Sequence, residues 1–279
     1  MHKDIVVIGA GISGIAAGYN LKKSCPDKSF CILEGRDSIG GTWDLFQYPG
    51  IRSDSDMHTL GFRFKPWLHD KSIADGPSIL NYLYETINEY ELNKDILLNH
   101  KVDSANWNSN DLVWELEILE NNNVKKMTCN FLFLCGGYYS YTEPHMPYFK
   151  NQENFKGKII HPQFWNSDIN YSDKRIAVIG SGATAITIVP ALSKKAKHVV
   201  MIQRSPSYVI SMPSEDRINK FLRKILPKKF TYFFVRWKNI IWQSYTFFMA
   251  RTFPNRIKNS ILQRLKDELG PNYDIKKHF

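Results

Sequence analysis

The sequence has no uninterrupted apolar run near the roughly 20 residues that a membrane-spanning helix needs. Its nearest approach, at 230–250, is broken by Arg236 and Lys238. Cysteine is scarce. Cys25, Cys31, Cys129 and Cys135 are the only four, and none stands in a C-x-x-C pair. That spacing therefore supplies neither a dithiol redox centre nor a zinc site, and the expectation is buried thiols in a reducing, cytoplasmic setting. No secretory leader is expected, since the apolar start at Ile5 reads as a core strand. Charge of one sign is missing from most of the chain. Residues 215–279 hold 15 Lys and Arg against five Asp and Glu, whereas the rest balances 22 against 22. Attraction to an anionic surface belongs to that last quarter alone. No nucleic-acid-binding module accompanies it.

What is present suits a folded protein. The chain has 279 residues, 43% hydrophobic and 23% charged, enough for one large or two ordinary domains. Residues 4–8, Asp-Ile-Val-Val-Ile, form a short β-branched run of the kind buried on both faces of a parallel sheet. Gly9-x-Gly11-x-x-Gly14 follows at once and leads into a helical stretch. In this fingerprint Gly9 makes the tight turn, Gly11 lets backbone approach a pyrophosphate, and Gly14 lets helix and strand pack closely. Free N–H groups at the helix start then favour the anion. A second strand at 29–33 ends at Glu34, 20 residues after Gly14, where a carboxylate binds a ribose 2′-hydroxyl.

The same logic recurs further on. Residues 175–179 read as a parallel strand, Gly180-Ser181-Gly182-Ala183-Thr184-Ala185 opens a helix, and Pro190 is expected to kink it. The next strand, 199–203, ends at Arg204-Ser205 rather than at an acid. A cation with a hydroxyl suits the 2′-phosphate of NADP; by position alone a surface arginine is an equal reading of Arg204, and its place 19 residues after Ala185 favours the NADP reading. Between the two fingerprints, Ile79, Leu83, Ile87 and Tyr90 share a helical face after a turn and cap signal at 75–78. Strands are expected at 96–98, 101–107, 112–119 and 127–134, the last three as a meander turning at 121–123.

The stretch 155–165, FKGKIIHPQFW, fits Phe-x-Gly-x-x-x-His-x-x-x-Trp through Phe155, Gly157, His161 and Trp165. It stands between the fingerprints. Here the chain resembles the flavin-dependent Baeyer–Villiger monooxygenases, whose signature this is. Asn166 departs from the Pro or Asp that usually follows. IGGTWDLFQYPGIRSDSDM, IGSGATA and QRSPSY extend the resemblance over nearly the whole chain, towards bacterial flavoprotein monooxygenases of the ethionamide-activating type. The missing C-x-x-C separates it from the disulfide reductases, which share the double-nucleotide architecture.

The resemblance implies FAD at the first fingerprint and NADPH at the second. It lines the FAD with Gly9, Gly11, Ser13, Gly14, Glu34, Gly41, Thr42, Trp43, Asp44 and Leu45, and puts the Val102 backbone near the adenine. NADP falls to Gly180, Ser181, Gly182, Ala183, Thr184, Ala185, Arg204 and Ser205. Asp54, in Arg52-Ser53-Asp54, takes a cofactor-binding and catalytic place beside the flavin, where turn composition alone gives a solvated acidic loop. Phe155, Gly157, His161 and Trp165 become a domain-linking motif. A lone His beside Pro reads as a hydrogen-bonded structural residue, and no metal is expected because no second His or Cys stands at ligand spacing.

The expected fold is α/β. A FAD-binding domain covers 1–140, a linker 141–172, an NADP-binding Rossmann unit 173–216, and a basic aromatic helical segment 217–279. In that segment Phe230, Phe234, Trp237, Ile241, Tyr245 and Phe248 fall at helical spacing. They read as a core stripe, with peripheral membrane contact as the alternative. The implied reaction is insertion of one atom of O₂, through a C4a-peroxyflavin, into a small-molecule ketone or sulfide. An N- or S-oxygenating flavin monooxygenase without Baeyer–Villiger activity is one alternative. A non-catalytic nucleotide-binding fragment is another, because family members continue past this point and the chain is expected to lack their C-terminal half.

Overall fold

Apolar β-branched segments separated by glycine turns become strands and crossover helices in the computed structural model, which describes all residues except Asn122, Pro206, Ser207 and 276–279. In chain order the main elements are β1 (His2–Ile8), α1 (Ile12–Ser24), β2 (Phe30–Leu33), α2 (Thr42–Leu45), α3 (Met57–Leu60), α4 (Gly76–Glu89), β3 (Ile96–Leu97), β4 (His100–Asn108), β5 (Val113–Glu120) and β6 (Asn123–Leu134). There follow β7 (Arg175–Ile179), α5 (Ala183–Leu192), β8 (His198–Ile202), α6 (Arg217–Ile225), α7 (Lys228–Thr252) and α8 (Pro254–Leu269). The chain forms two compact units, Met1–Gln47 with Gly76–Ser167, and Tyr48–Asp75 with Asp168–Phe279.

The first unit is built on a six-stranded sheet of order β3-β2-β1-β6-β5-β4. β1 lies parallel to β2 and β6, while β4, β5 and β6 run antiparallel as the expected meander. Alternation along β1 and β2 sends residues to two apolar layers. Val6, Cys31 and Leu33 meet Leu116, Ile118, Met127 and Cys129 of the meander. The opposite layer holds buried Val7, Ile32 and Ile15 of α1. On α4, Ile79, Leu83 and Ile87 are buried to within 2%. Each such side chain contributes roughly 1.5–3 kcal/mol by leaving water. The turn at 121–123 includes Asn122, which lies outside the described residues. All four cysteines are free; Cys31 and Cys129 are buried, but Cys25 and Cys135 are only half-buried. Both of the latter stand at element ends, where packing is one-sided.

In the second unit β7 and β8 pair in parallel, from Arg175–His198 to Ile179–Ile202. α5 follows β7 directly and runs through Pro190 to Leu192. The helices α6 and α7 carry a correction to the sequence reading. The stripe of Phe230, Phe234, Trp237, Ile241, Tyr245 and Phe248 does share one face of α7, but each residue is 48–63% exposed, so the stripe is not core. The inward face holds Thr231 and Val235, and polar side chains along the helix tie it to the segment 56–61 and to Asp216. Arg236 Nη1 donates to the carbonyls of His58 at 2.6 Å and Gly61 at 3.2 Å. Asn239 and Gln243 each donate to Asp56 at 2.8 Å, and Lys238 pairs with Asp216 at 2.5 Å. No described helix is long and apolar enough to cross a membrane.

Candidate functional site

The first glycine turn is held by close backbone contacts. A Cβ on Gly14 would lie 1.8 Å from the Gly9 carbonyl oxygen, and one on Gly9 would lie 2.5 Å from the Cys135 carbonyl oxygen. Gly9 also has φ of +100°, a region closed to most L-residues. These contacts seat α1 against the ends of β1 and β6. Gly11 faces Gly41, whose own Cβ would be 3.2 Å from the Gly11 Cα. Gly11 is the N-cap of α1 and Ser13 lies in its first turn, so free amides gather there.

Glu34 follows β2 and is 98% buried. Its Oε2 accepts from the Ala10 amide at 2.8 Å and its Oε1 from the Arg36 amide at 3.1 Å. Asp44, in α2, accepts from Ser38 Oγ at 2.7 Å and pairs with Arg36 Nη2 at 2.6 Å. Tyr141 lies beside this group, its ring 5.4 Å from the Arg36 guanidinium carbon. Burial raises the Tyr141 pKa above the usual phenol value, and the Glu34 charge raises it further. Gly41 thus stands against Gly11, and Asp44 reaches Glu34 through Arg36; Thr42, Trp43 and Leu45 share the short helix α2 with Asp44. Val102 is half-buried in β4, at the edge of the apolar layer beneath Leu33. Open space lies over Gly136 and Gly137, where an added Cβ would meet nothing within 4 Å.

Around the second fingerprint the glycines face space rather than protein. A Cβ on Gly180 or Gly182 would meet nothing within 4 Å. Gly182 is the N-cap of α5 and Ala183, Thr184 and Ala185 form its first turn. Arg204 and Ser205 are exposed just after β8. Ser181 Oγ donates to the Ser205 carbonyl at 3.5 Å, bringing both ends of the fingerprint together. The segment after Gln47 packs on the same helix. Tyr48 is 94% buried and hydrogen-bonded to Thr184, and a Cβ on Gly50 would lie 2.8 Å from the Ala191 Cβ. The motif reading did not single out Tyr48, Arg36, Ser38 or Tyr141. Only the turn letters YPG hinted at the first.

Asp54 belongs to this second unit and is exposed. Its neighbour Ser53 is pinned by a 2.8 Å bond from its amide to the Ala74 carbonyl and a 3.1 Å bond from the Ala74 amide to Ser53 Oγ. In the 155–165 motif, His161 Nδ1 accepts from the Gln163 amide at 3.2 Å, capping a short 3₁₀ turn. Gln163 Nε2 donates to the Ser140 carbonyl at 2.6 Å. Burial, then the neighbouring His145, lowers the His161 pKa. Gly157 lies under the Phe155 ring, 2.4 Å from where its Cβ would be. Trp165 closes the turn with its amide on the Pro162 carbonyl at 3.2 Å.

Two glycine turns of this kind, one with a buried acid and one followed by a basic residue, have the form of dinucleotide-binding turns. Residues 65–272 match the family described as flavin-binding monooxygenase-like. The chain belongs to that family. Residues 7–70 match the NAD(P)-binding Rossmann-like domain. The chain is 49% identical over 279 residues to the FAD-containing monooxygenase EthA of Mycobacterium tuberculosis, covering 100% of this chain and 57% of that protein. It is 47% identical to EthA of Mycolicibacterium smegmatis over the same span. Among solved structures, an oxidized steroid monooxygenase bound to NADP matches with a TM-score of 0.70 at 27% identity, over 83% of this chain and 43% of that one. A complex of OTEMO with FAD and NADP matches with a TM-score of 0.64 at 30% identity, over 74% and 39%. The chain therefore spans a little over half the length of the curated relatives it matches.

Proposed function

We propose that the chain carries the FAD- and NADPH-binding parts of a monooxygenase that places one atom of O₂ into a small-molecule ketone or sulfide. The observation that carries this is the pairing of a buried Glu34 on the first glycine turn with an exposed Arg204–Ser205 on the second. One turn suits a ribose diol and the other a 2′-phosphate. The EthA, steroid monooxygenase and OTEMO likenesses support FAD and NADP as the two nucleotides. Bound together, the two cofactors supply the electron pair and the activation of O₂.

The residues of the chain have binding and orienting roles. Glu34 accepts from the adenosine ribose, while the α1 N-terminus and Gly11 take the FAD pyrophosphate. Gly41 to Leu45 continue the FAD wall, and Val102 offers backbone to the adenine. Gly180, Ser181, Gly182, Ala183, Thr184 and Ala185 hold the NADP pyrophosphate, with Tyr48 fixing the Thr184 side chain. Arg204 donates to the 2′-phosphate. Asp54, carried on the Ser53 tie to residue 74, orients the nicotinamide side. Phe155, Gly157, His161 and Trp165 form a linking turn whose histidine acts by hydrogen bonding. In this reading 1–140 serves FAD, 173–216 serves NADP, and 141–172 connects them.

The absorption spectrum of the purified chain tests the proposal. A yellow protein that bleaches anaerobically with NADPH, and less readily with NADH, is expected. Under air, a ketone should yield an ester or a lactone and a sulfide a sulfoxide. A colourless protein that takes up neither nucleotide in excess would remove the reading. Sulfoxide without ester or lactone would narrow it to heteroatom oxygenation.

A further inference from the structure

A surface helix ordinarily turns its apolar stripe to the core. On α6 and α7 apolar stripes are left facing solvent. Both helices send polar side chains to α3. Asn219 of α6 is buried with its Nδ2 3.3 Å from His58 Nε2, while Arg236 and Asn239 of α7 reach the His58 carbonyl and Asp56. Away from α3, Ile218, Phe221 and Ile225 stand at helical spacing on α6 and are 51–62% exposed. The aromatic stripe of α7 is exposed from Phe230 to Phe248. Contiguous apolar surface of this kind marks a site of interaction. The charge around it has one sign. Residues 217–266 contain 13 Lys and Arg and not one Asp or Glu. The acids beside them are engaged, Asp216 by Lys238, Glu215 by Lys220 and Asp70 by Arg223. Lys224, Lys228, Lys229 and Arg251 are exposed, with no acid on their own helices or on the turn between them.

We propose that α6 and α7 form a docking surface for a bilayer of anionic phospholipids, lying in its interface without crossing it. The rings of the stripe enter the acyl boundary. Lys228 and Lys229 open α7 and Arg251 lies in its last turn, so cations bracket the stripe and meet the headgroup phosphates. Trp237 and Tyr245 are of the residue types that settle at the level of the headgroups. Charge decides among the possible occupants. A second copy seated on the same face would set these cations against their own counterparts, with no acid to relieve them. A nucleic acid would supply phosphates, but Ile218, Ile225 and Ile241 have no ring to stack on a base. An anionic bilayer supplies the apolar layer and the countercharge together.

The test is sedimentation of the full chain with vesicles of phosphatidylcholine, alone or mixed with phosphatidylglycerol. Binding is expected on the mixed vesicles and should be weaker by about tenfold or more on the neutral ones. Salt should release the protein, because going from about 0.1 M to about 1 M shortens the screening length from about 10 Å to about 3 Å. Phe234→Ser combined with Trp237→Ser should lower the affinity by about tenfold or more, the scale of two rings returned to water. Lys228→Glu combined with Lys229→Glu should lower it by about tenfold or more as well. All four side chains are exposed, so thermal melts should be unchanged. Should either pair fail to fold, the unaltered chain still decides: its tryptophan emission must be quenched by lipids brominated in the acyl chains, and no quenching overturns the proposal. Indifference to the mixed vesicles overturns it too. So does binding that survives loss of both rings, which would reduce it to the charge of the segment. Without vesicle binding, a dimer that the ring substitutions dissolve would assign the face to a second copy, and a bound single-stranded oligonucleotide that they release would assign it to nucleic acid.

Discussion

The Glu34 carboxylate accepts a hydrogen bond from the Ala10 amide at 2.8 Å, so the end of β2 is fastened to the glycine turn that follows β1. One side chain thereby shapes the turn and presents acceptor lone pairs beside it. Truncation should expose both duties. In Glu34→Ala the Ala10 and Arg36 amides lose their acceptor, at a cost of about 1–3 kcal/mol for each buried group left unpaired. Urea unfolding of the apo-protein should show that loss, and flavin should no longer survive gel filtration. Glu34→Gln keeps one acceptor oxygen and should fall between.

The two fingerprints make opposite predictions for the same substitution. Gly14→Ala puts a Cβ 1.8 Å from a backbone carbonyl, which only a backbone shift can relieve. It should destabilise the apo-protein by about 1–3 kcal/mol or more, as overpacking does. Gly182→Ala meets nothing within 4 Å and has an ordinary extended conformation, with φ of −78°. Its stability cost should stay within about 1 kcal/mol, the scale of an N-cap change. Its effect should appear in NADPH affinity, because in the proposed reading the methyl occupies space that the pyrophosphate needs. Thermal melts with and without NADPH separate the two outcomes.

These contrasts show what was legible in the chain. Residue spacing placed both strand–glycine–helix units and the acid at Glu34, because a 20-residue interval in such a unit is set by the geometry of strand and helix. The heptad-like spacing of Phe230, Phe234, Trp237 and Ile241 was read correctly as a shared face and wrongly as core. Periodicity reports which residues point together, whereas what covers them depends on other parts of a fold. Arg36 and Tyr141 escaped notice for a related reason. Each is unremarkable in its own segment, and only the return of the chain at Ser140 and Tyr141 to the first glycine turn makes them a pair.

A pH dependence follows from His58, which is buried on α3 with Nε2 3.3 Å from Asn219 Nδ2. Burial pushes its pKa below the ordinary 6.5, and Lys238 and Arg223 act the same way against the opposing charges of Asp56 and Asp216. Above 6.5 both folded and unfolded chains carry it neutral, so it contributes no slope. As pH falls below 6.5 the unfolded chain takes up a proton that the folded chain refuses. Stability should therefore decline through that window, by at most about 1.4 kcal/mol per pH unit for one group, and stop declining from this source below the folded pKa. His161 is shifted in the same direction and adds to the decline. Urea titrations from about pH 7.5 to about pH 5, which bracket the ordinary histidine pKa of about 6.5, check it. His58→Gln retains an acceptor for Asn219 and should reduce the slope without abolishing it. An unaltered slope would assign the effect elsewhere.

In the proposed reading, Arg204 is the residue on which the choice of nicotinamide nucleotide turns. It is exposed after β8, and Ser181 joins its neighbour Ser205 to the glycine turn at 3.5 Å. An exposed guanidinium in that place gains little by pairing with protein, but a dianionic 2′-phosphate offers it bidentate, charge-assisted bonds. NADH has a neutral hydroxyl there. Arg204→Ala should weaken NADPH binding by about 10- to 100-fold, the range of a lost charged hydrogen bond, and leave NADH nearly untouched. The difference should shrink as salt rises, because the site is open to solvent. Equal losses for both nucleotides would mean that Arg204 supports the loop rather than the phosphate. No loss for either would return it to an ordinary surface arginine, and the basis of NADPH preference would then have to lie in the turn itself, among Ser181, Thr184 and Tyr48.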